Sequence, residues 1–377
     1  MKSNIKKISK VISINITILG ILLISPALFF QLYKKLKPVF YTQLNQTLDP
    51  RAYYPTYSNK EFSIELFNEL SKLHTTYRSF IGWRNEKLNL KYTNISGPYN
   101  GRKSKGESLN NSVWFFGGST MWGWGTSDNQ TIPSHFNSHS NIPVYNFAEN
   151  SWNSRQSLNQ LINAIGDNNN PSVVIFFDGV NDIYHQCRSE IKSLPAHTKE
   201  IPIQNALQEF PSTDRISNFI LSPYIAIARE FRIQFPFVNR SQSKLYDCDI
   251  NKEKARLVAQ HLVNNWRTAY SLSKSNNFKF YGVLQPTLFS TETNSEYLEE
   301  NLVKMYPEYK RQYNAVYPLI LEEISRHCGL DKDICSSMID GTNWLDGKNN
   351  IFIDFCHTNS LGNRVIAQRL KSLIKQY

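Results

Sequence analysis

Four short apolar runs constrain this chain most: SVWFFGGS from Ser112, VYNF from Val144, SVVIFFDG from Ser172 and FKFYGVLQP from Phe278. Each is short and apolar on both faces, as a strand covered on two sides has to be. Helical stretches separate them, Ser154 to Gly166 before the third run and about Asn251 to Lys274 before the fourth. Strands alternating with helices predict an α/β domain of three layers, α/β/α, around a parallel sheet. Residues from about 186 to 250 break the rhythm and read as an insertion.

Hydrophobic residues make up 41% of the 377 and aromatics 13%, too much apolar mass for a chain that stays disordered. The net charge of +11 invites a nucleic-acid reading, but its distribution argues otherwise. Residues 1–51 hold eight Lys/Arg against one acid, Asp49, and the other 326 residues carry only +4 with no basic run. No nucleic-acid partner is expected, because an electrostatic footprint needs clustering on the folded domain.

The basic excess flanks Val11 to Phe30, twenty residues without a charge. That length just spans a bilayer core. Ser25-Pro26-Ala27 offers a signal-cleavage site as the alternative, but Leu28, Phe29 and Phe30 continue the apolar run past it and favour a retained anchor. Four Lys before the span and three after it orient the tail inward. The expected organisation is a cytoplasmic tail (1–10), a transmembrane helix (11–30), a stalk and N-terminal extension (31–107) and a periplasmic or extracellular domain (108–377). Within the extension, helical spacing predicts a helix from about Lys60 to His74, then extended chain from Tyr77 to Ser96 and a loop from Gly97 to Gly106.

Several chemical motifs fail on inspection. GGSTMWGWG lacks the Gly-Lys-Ser/Thr ending of a phosphate-binding loop, and Asp128 follows Gly123-Trp124-Gly125 where a dinucleotide fold places its third glycine. Gly117-Gly118-Ser119-Thr120-Met121 misses the last glycine of the nucleophile elbow. No Cys or His pair has metal-ligand spacing, so neither a metal nor another cofactor is indicated.

Four blocks remain in a fixed order: Ser119 after a strand and two glycines, Asn146 to Ser154 after the next strand, Gly179-Val180-Asn181-Asp182 after the third, and Asp354-Phe355-Cys356-His357 near the C-terminus. Together they resemble the SGNH/GDSL hydrolases. YRSFIGWRNEKLNLKYTNI, from Tyr77, is similar to the extension of membrane-anchored bacterial members. The resemblance implies a flavodoxin-like SGNH fold and a serine esterase. Ser119 would be the nucleophile, His357 its base and Asp354 the group that orients the imidazole. It also implies an oxyanion hole from Ser119 N–H, a backbone N–H of the second block and the Asn181 amide. The block's usual glycine aligns with Ser151, a departure that keeps the donor only if the backbone there suits a side chain.

Other residues weigh against these. Asp182 and His185 repeat the D-x-x-H spacing, but only Asp354 and His357 precede the last helix, Ser360 to Lys375. Trp122, Trp124 and Trp152 lie just past the first two blocks, where they are candidates to stack on sugar rings or to fill the core. Five cysteines in an exported chain predict bridges Cys187–Cys248 and Cys328–Cys335, with Cys356 free. The expected activity is hydrolysis of acyl esters, O-acetyl among them, on an envelope or exported glycan or on a small ester. Acyl transfer by the same route and a silent glycan-binding role are the alternatives.

Overall fold

The computed structural model describes residues 49–208, 245–298 and 307–375, together with Ile14, Asn15, Thr17 and Ile18. The expected span Val11–Phe30, those four positions apart, and the stalk up to residue 48 lie outside the described residues. Among the described residues no helix is long and apolar enough to cross a membrane. The chain divides into two units, Leu48–Thr198 with Lys244–Tyr377, and Met1–Thr47 with Lys199–Ser243. The second includes the short helix Ile201–Gln208; everything below concerns the first.

After a 3-10 turn at Pro50–Tyr53 comes α1 (Lys60–Leu70), started by the Asn59 side chain, which accepts from Phe62 N at 2.9 Å. It stops four residues before the expected end, because the chain straightens into β1 (Thr75–Arg78). β1 pairs antiparallel with β2 (Gly82–Asn85). A second small sheet joins β3 (Leu88–Asn89), β4 (Asn94–Ser96) and β5 (Gly101–Arg102), so part of the expected 97–106 loop is strand. Leu66, Phe67, Leu70 and Ile95 pack into the same apolar cluster as the central sheet, which makes the extension part of the core.

The central sheet has five parallel strands in the order β10-β9-β8-β6-β7. In chain order β6 (Val113–Gly117) leads into α2 (Ser119–Trp122) and α3 (Ile132–Ser140); β7 (Val144–Asn146) into α4 (Ser154–Gly166); and β8 (Val173–Asp178) into α5 (Val180–Gln186). Then α6 (Lys252–Ser275) precedes β9 (Lys279–Leu284), α7 (Pro307–Leu330) precedes β10 (Met338–Asp340), and α8 (Ser360–Lys375) closes the domain. Alternation within the strands builds both cores. Trp114 and Phe116 point to the α4–α7 layer with Leu161, Trp266 and Ile320, while Val113 and Phe115 point to α3 and α8 with Phe136 and Ile366. The strand order reverses between β6 and β8. In open parallel sheets the carboxyl ends of the strands at such a reversal form the ligand crevice. Both expected disulfides, Cys187–Cys248 and Cys328–Cys335, are present, and Cys356 is free and buried.

Candidate active site

Ser119 stands at the reversal point, as the first residue after β6 and its two glycines. Gly117 has φ of +147°, and a Cβ there would lie 2.5 Å from Phe177 O on β8, so only glycine lets β6 end this close to its neighbour. A Cβ on Gly118 would lie 2.2 Å from Asn181 Nδ2, so this glycine makes room for the amide at the start of α5. Being at the start of α2, Ser119 has an N–H with no acceptor inside the helix.

His357 reaches Ser119 from a loop 238 residues later, with Nε2 2.6 Å from Ser119 Oγ. Its Nδ1 lies 2.7 Å from Asp354 Oδ2. The other oxygen, Oδ1, accepts from the backbone N–H groups of Cys356 (3.0 Å) and His357 (2.8 Å), so the three-residue spacing folds into a tight turn around one carboxylate. Burial alone would raise the Asp354 carboxyl. The charge and hydrogen bond of His357, the charge of Arg51 and the Cys356 N–H outweigh burial and hold it well below the usual carboxylate range. An ionised Asp354 fixes the proton on Nδ1 and leaves Nε2 to accept from the serine hydroxyl.

Two residues without a sequence signal, Gln285 and Thr120, lock this loop to the start of α2. Gln285, just past β9, donates to Thr120 Oγ1 (2.7 Å) and to Cys356 O (3.2 Å), and Thr120 Oγ1 donates to the same carbonyl at 3.2 Å. Asp354, Cys356 and His357 also bring ligand-type atoms within 4.8 Å of one another. A cation there would face the Arg51 guanidinium, 2.6 Å from Asp354, and meet like charge.

Asn181 Nδ2 donates to Trp152 O at 2.7 Å, which ties the third block to the second. Asp182 is buried and accepts from Ser154 N and Oγ, so it braces the start of α4, which a capping box of Asn153 and Gln156 also secures. Ser151 has φ of +65°, the left-handed region that glycine enters freely and serine rarely. The backbone at this position thus has the form that suits the glycine implied by the resemblance, with a side chain on it. The Ser151 carbonyl accepts from His197 Nε2 at 3.1 Å.

The extension holds that second block. Trp83 Nε1 donates to Asn150 O (3.1 Å), Arg84 Nη1 to Phe147 O (2.6 Å), and Trp152 Nε1 back to Trp83 O (3.0 Å). The sugar-platform reading needs correcting for two of the three tryptophans. Trp122 is 0% exposed under the Arg102 guanidinium, and Trp152 is 1% exposed under that of Arg84, so neither has a free face. Trp124 alone is half-buried, with its ring centroid 6.3 Å from that of His357. His185 Nδ1 meets Thr198 Oγ1 at 2.9 Å, and its ring lies on that of His197.

A parallel sheet with a hydrogen-bonded Ser-His-Asp chain at its reversal point defines the class of α/β serine hydrolases. Residues 113–370 match the profile of the GDSL-like lipase/acylhydrolase family. The chain belongs to that family and is an ester-hydrolysing enzyme. Among solved structures it is similar to a lipolytic protein of the G-D-S-L family from Desulfitobacterium hafniense, with 11% identity over 70% of this chain and 99% of that one and a TM-score of 0.36. It is also similar to a G-D-S-L family lipolytic protein from Veillonella parvula (12% identity, 71% and 99%, TM-score 0.36). A GDSL-like lipase from Bacteroides thetaiotaomicron follows (14%, 71% and 86%, TM-score 0.32). At these scores the family assignment rests on the 113–370 match alone. A search of curated proteins gives no match.

Proposed function

We propose that Ser119 is the nucleophile of an acyl-ester hydrolase held at the outer face of a membrane by residues 11–30, and that its substrate is an acylated glycan of the envelope or an exported one. The Ser119–His357–Asp354 hydrogen-bond chain supports the hydrolase part of this reading, and the uncharged run Val11–Phe30 supports the anchor. His357 Nε2 takes the hydroxyl proton as Ser119 Oγ attacks the ester carbonyl, then gives it to the leaving alcohol. Water attacks the acyl-serine by the reverse proton path, releasing the carboxylic acid. The Asn181 amide and the N–H groups of Ser119 and Ser151 would receive the oxyanion. Two disulfides favour an oxidising compartment. The half-buried Trp124 beside His357 offers an aromatic wall for a sugar.

A fluorophosphonate probe tests the mechanism, and acetylated polysaccharide tests the substrate. Stoichiometric labelling that maps to Ser119, is lost in Ser119→Ala and is matched by acetate release is the expected result. An unlabelled wild-type protein would sink the mechanism, and acetyl groups recovered on a second sugar in place of free acetate would make the enzyme a transferase.

A further inference from the structure

The family match starts at residue 113, yet a cation from far ahead of it touches the triad. Arg51 sits in the 3-10 turn Pro50–Tyr53, where the Asp49 side chain accepts from Arg51 N at 3.0 Å. The same carboxylate grips one edge of the guanidinium: Nε lies 3.0 Å from Oδ1 and Nη2 2.7 Å from Oδ2. Nη1 is left to donate to Asp354 Oδ2 at 2.6 Å. That oxygen is also the one that accepts from His357 Nδ1. The guanidinium lies 5.6 Å from the Trp124 ring centroid and 5.7 Å from that of Phe67, so aromatic rings fix its position as well.

An isolated cation here would oppose the imidazolium that forms during catalysis, since both would draw on one carboxylate. Asp49 moderates that conflict. Paired with it, Arg51 acts on Asp354 with a moderated charge and with a directed hydrogen bond that holds the carboxylate plane. The side chains of Arg51 and Asp354 are only 23% and 13% exposed, so water competes weakly for this bond.

We propose that Arg51 is a positioning residue of the hydrolase, fixing through Asp354 the orientation of His357, so that the segment ahead of the family domain completes the triad. This rests on the roles given above to Ser119, His357 and Asp354. The plainer role, a staple that ties the N-terminal segment to the domain, predicts lost stability without a defect in the chemical step.

Full-length protein in detergent separates the two, using p-nitrophenyl acetate turnover and the rate of fluorophosphonate labelling. Arg51→Ala is expected to lower kcat and the labelling rate by about 10- to 100-fold, the span set by one lost charge-assisted hydrogen bond, with KM within about twofold. Added guanidinium chloride at low millimolar concentration should restore part of kcat in Arg51→Ala and leave the wild type unchanged. Arg51→Lys should fall between the two, and it carries the test if Arg51→Ala does not fold. Unchanged labelling in a variant, or a lower thermal midpoint with kcat kept, would overturn the proposal while leaving the triad standing. A wild-type protein unlabelled at Ser119 would overturn both.

Discussion

Glu149, fully buried, accepts hydrogen bonds from both the backbone N–H (2.7 Å) and the side-chain amide (2.6 Å) of Asn85, 64 residues earlier. Its Oε1 also accepts from Asn150 N at 2.8 Å, and Arg84 Nε lies 3.8 Å from its Oε2. One buried carboxylate thus joins β2 to the turn that contains Ser151.

Removing the cation from this cluster leaves a buried carboxylate without its counter-charge. Arg84→Met is expected to destabilise the protein by about 3–5 kcal/mol, read from the shift in denaturant midpoint. A loss below about 1 kcal/mol would mean that the hydrogen bonds from Asn85 and Asn150 alone support Glu149.

Ser151 occupies a backbone region that costs a side chain about 1–2 kcal/mol. Ser151→Gly should therefore raise stability by about 0.5–1 kcal/mol after glycine's greater unfolded entropy is counted, with turnover kept. Ser151→Val should lower both stability and turnover. Urea unfolding and ester hydrolysis measured on both variants check the sign.

In the proposed mechanism Ser119 and His357 act on one proton, so Ser119→Ala and His357→Ala should each remove nearly all activity and the double variant should be little worse. Asn181→Ala should lower kcat by about 100-fold or more with KM nearly kept, because its amide serves an oxyanion absent from the ground state. His185→Ala is the control for the repeated D-x-x-H spacing. A loss there equal to that of His357→Ala would move the base to the wrong histidine.

The two disulfides should differ in weight. Cys187–Cys248 closes a separation of 61 residues and Cys328–Cys335 one of 7. In the chain-entropy description these are worth about 4 and about 2 kcal/mol. Replacing each pair by serines and comparing unfolding free energies gives the order. Peptide mapping without reductant that found all thiols free would remove the effect and the case for export together.

His135, on α3 against Ser360, is pushed down from its ordinary 6.5 to about 4, chiefly by burial and then by the charges of Arg364 and His139. The unfolded chain takes up this proton near pH 6.5 and the folded protein only near pH 4. Between those values the unfolded state binds more protons, so the stabilisation present above pH 6.5 is lost as the pH falls. His135→Gln should flatten that part of the stability–pH curve relative to the wild type, and parallel curves would contradict it.

Four of the five central strands were legible because continuous apolar runs ending in glycine or a turn have few other uses, and the order of Ser119, Asn181 and His357 pointed to one crevice. β10 was not, since Met338–Asp340 ends in an acid and lies in no continuous apolar run, and α7 contains Pro318, which argues locally against a long helix. Arg51 had no signal at all, because a contact across 303 residues leaves no trace in spacing. Trp122 and Trp152 were left between two readings for a different reason. An indole next to a reactive loop serves equally as core or as platform, and Arg84 and Arg102, which cover these two, decide the matter only once the chain is folded.

The bridge between Cys187 and Cys248 brings the Cα atoms at the two ends of the intervening segment to 5.2 Å of each other. Cys187 ends α5 and Cys248 lies just ahead of α6, so the bridge joins these two helices directly. A protease cut anywhere between these cysteines would therefore sever no covalent path between the part of the sheet that carries Ser119 and the part that carries His357. His197, inside the bridged segment, still bonds to the Ser151 carbonyl, so the bridge keeps that contact tethered at both ends. The bridge thus lets a nicked enzyme keep Ser119 and His357 on one covalently joined molecule.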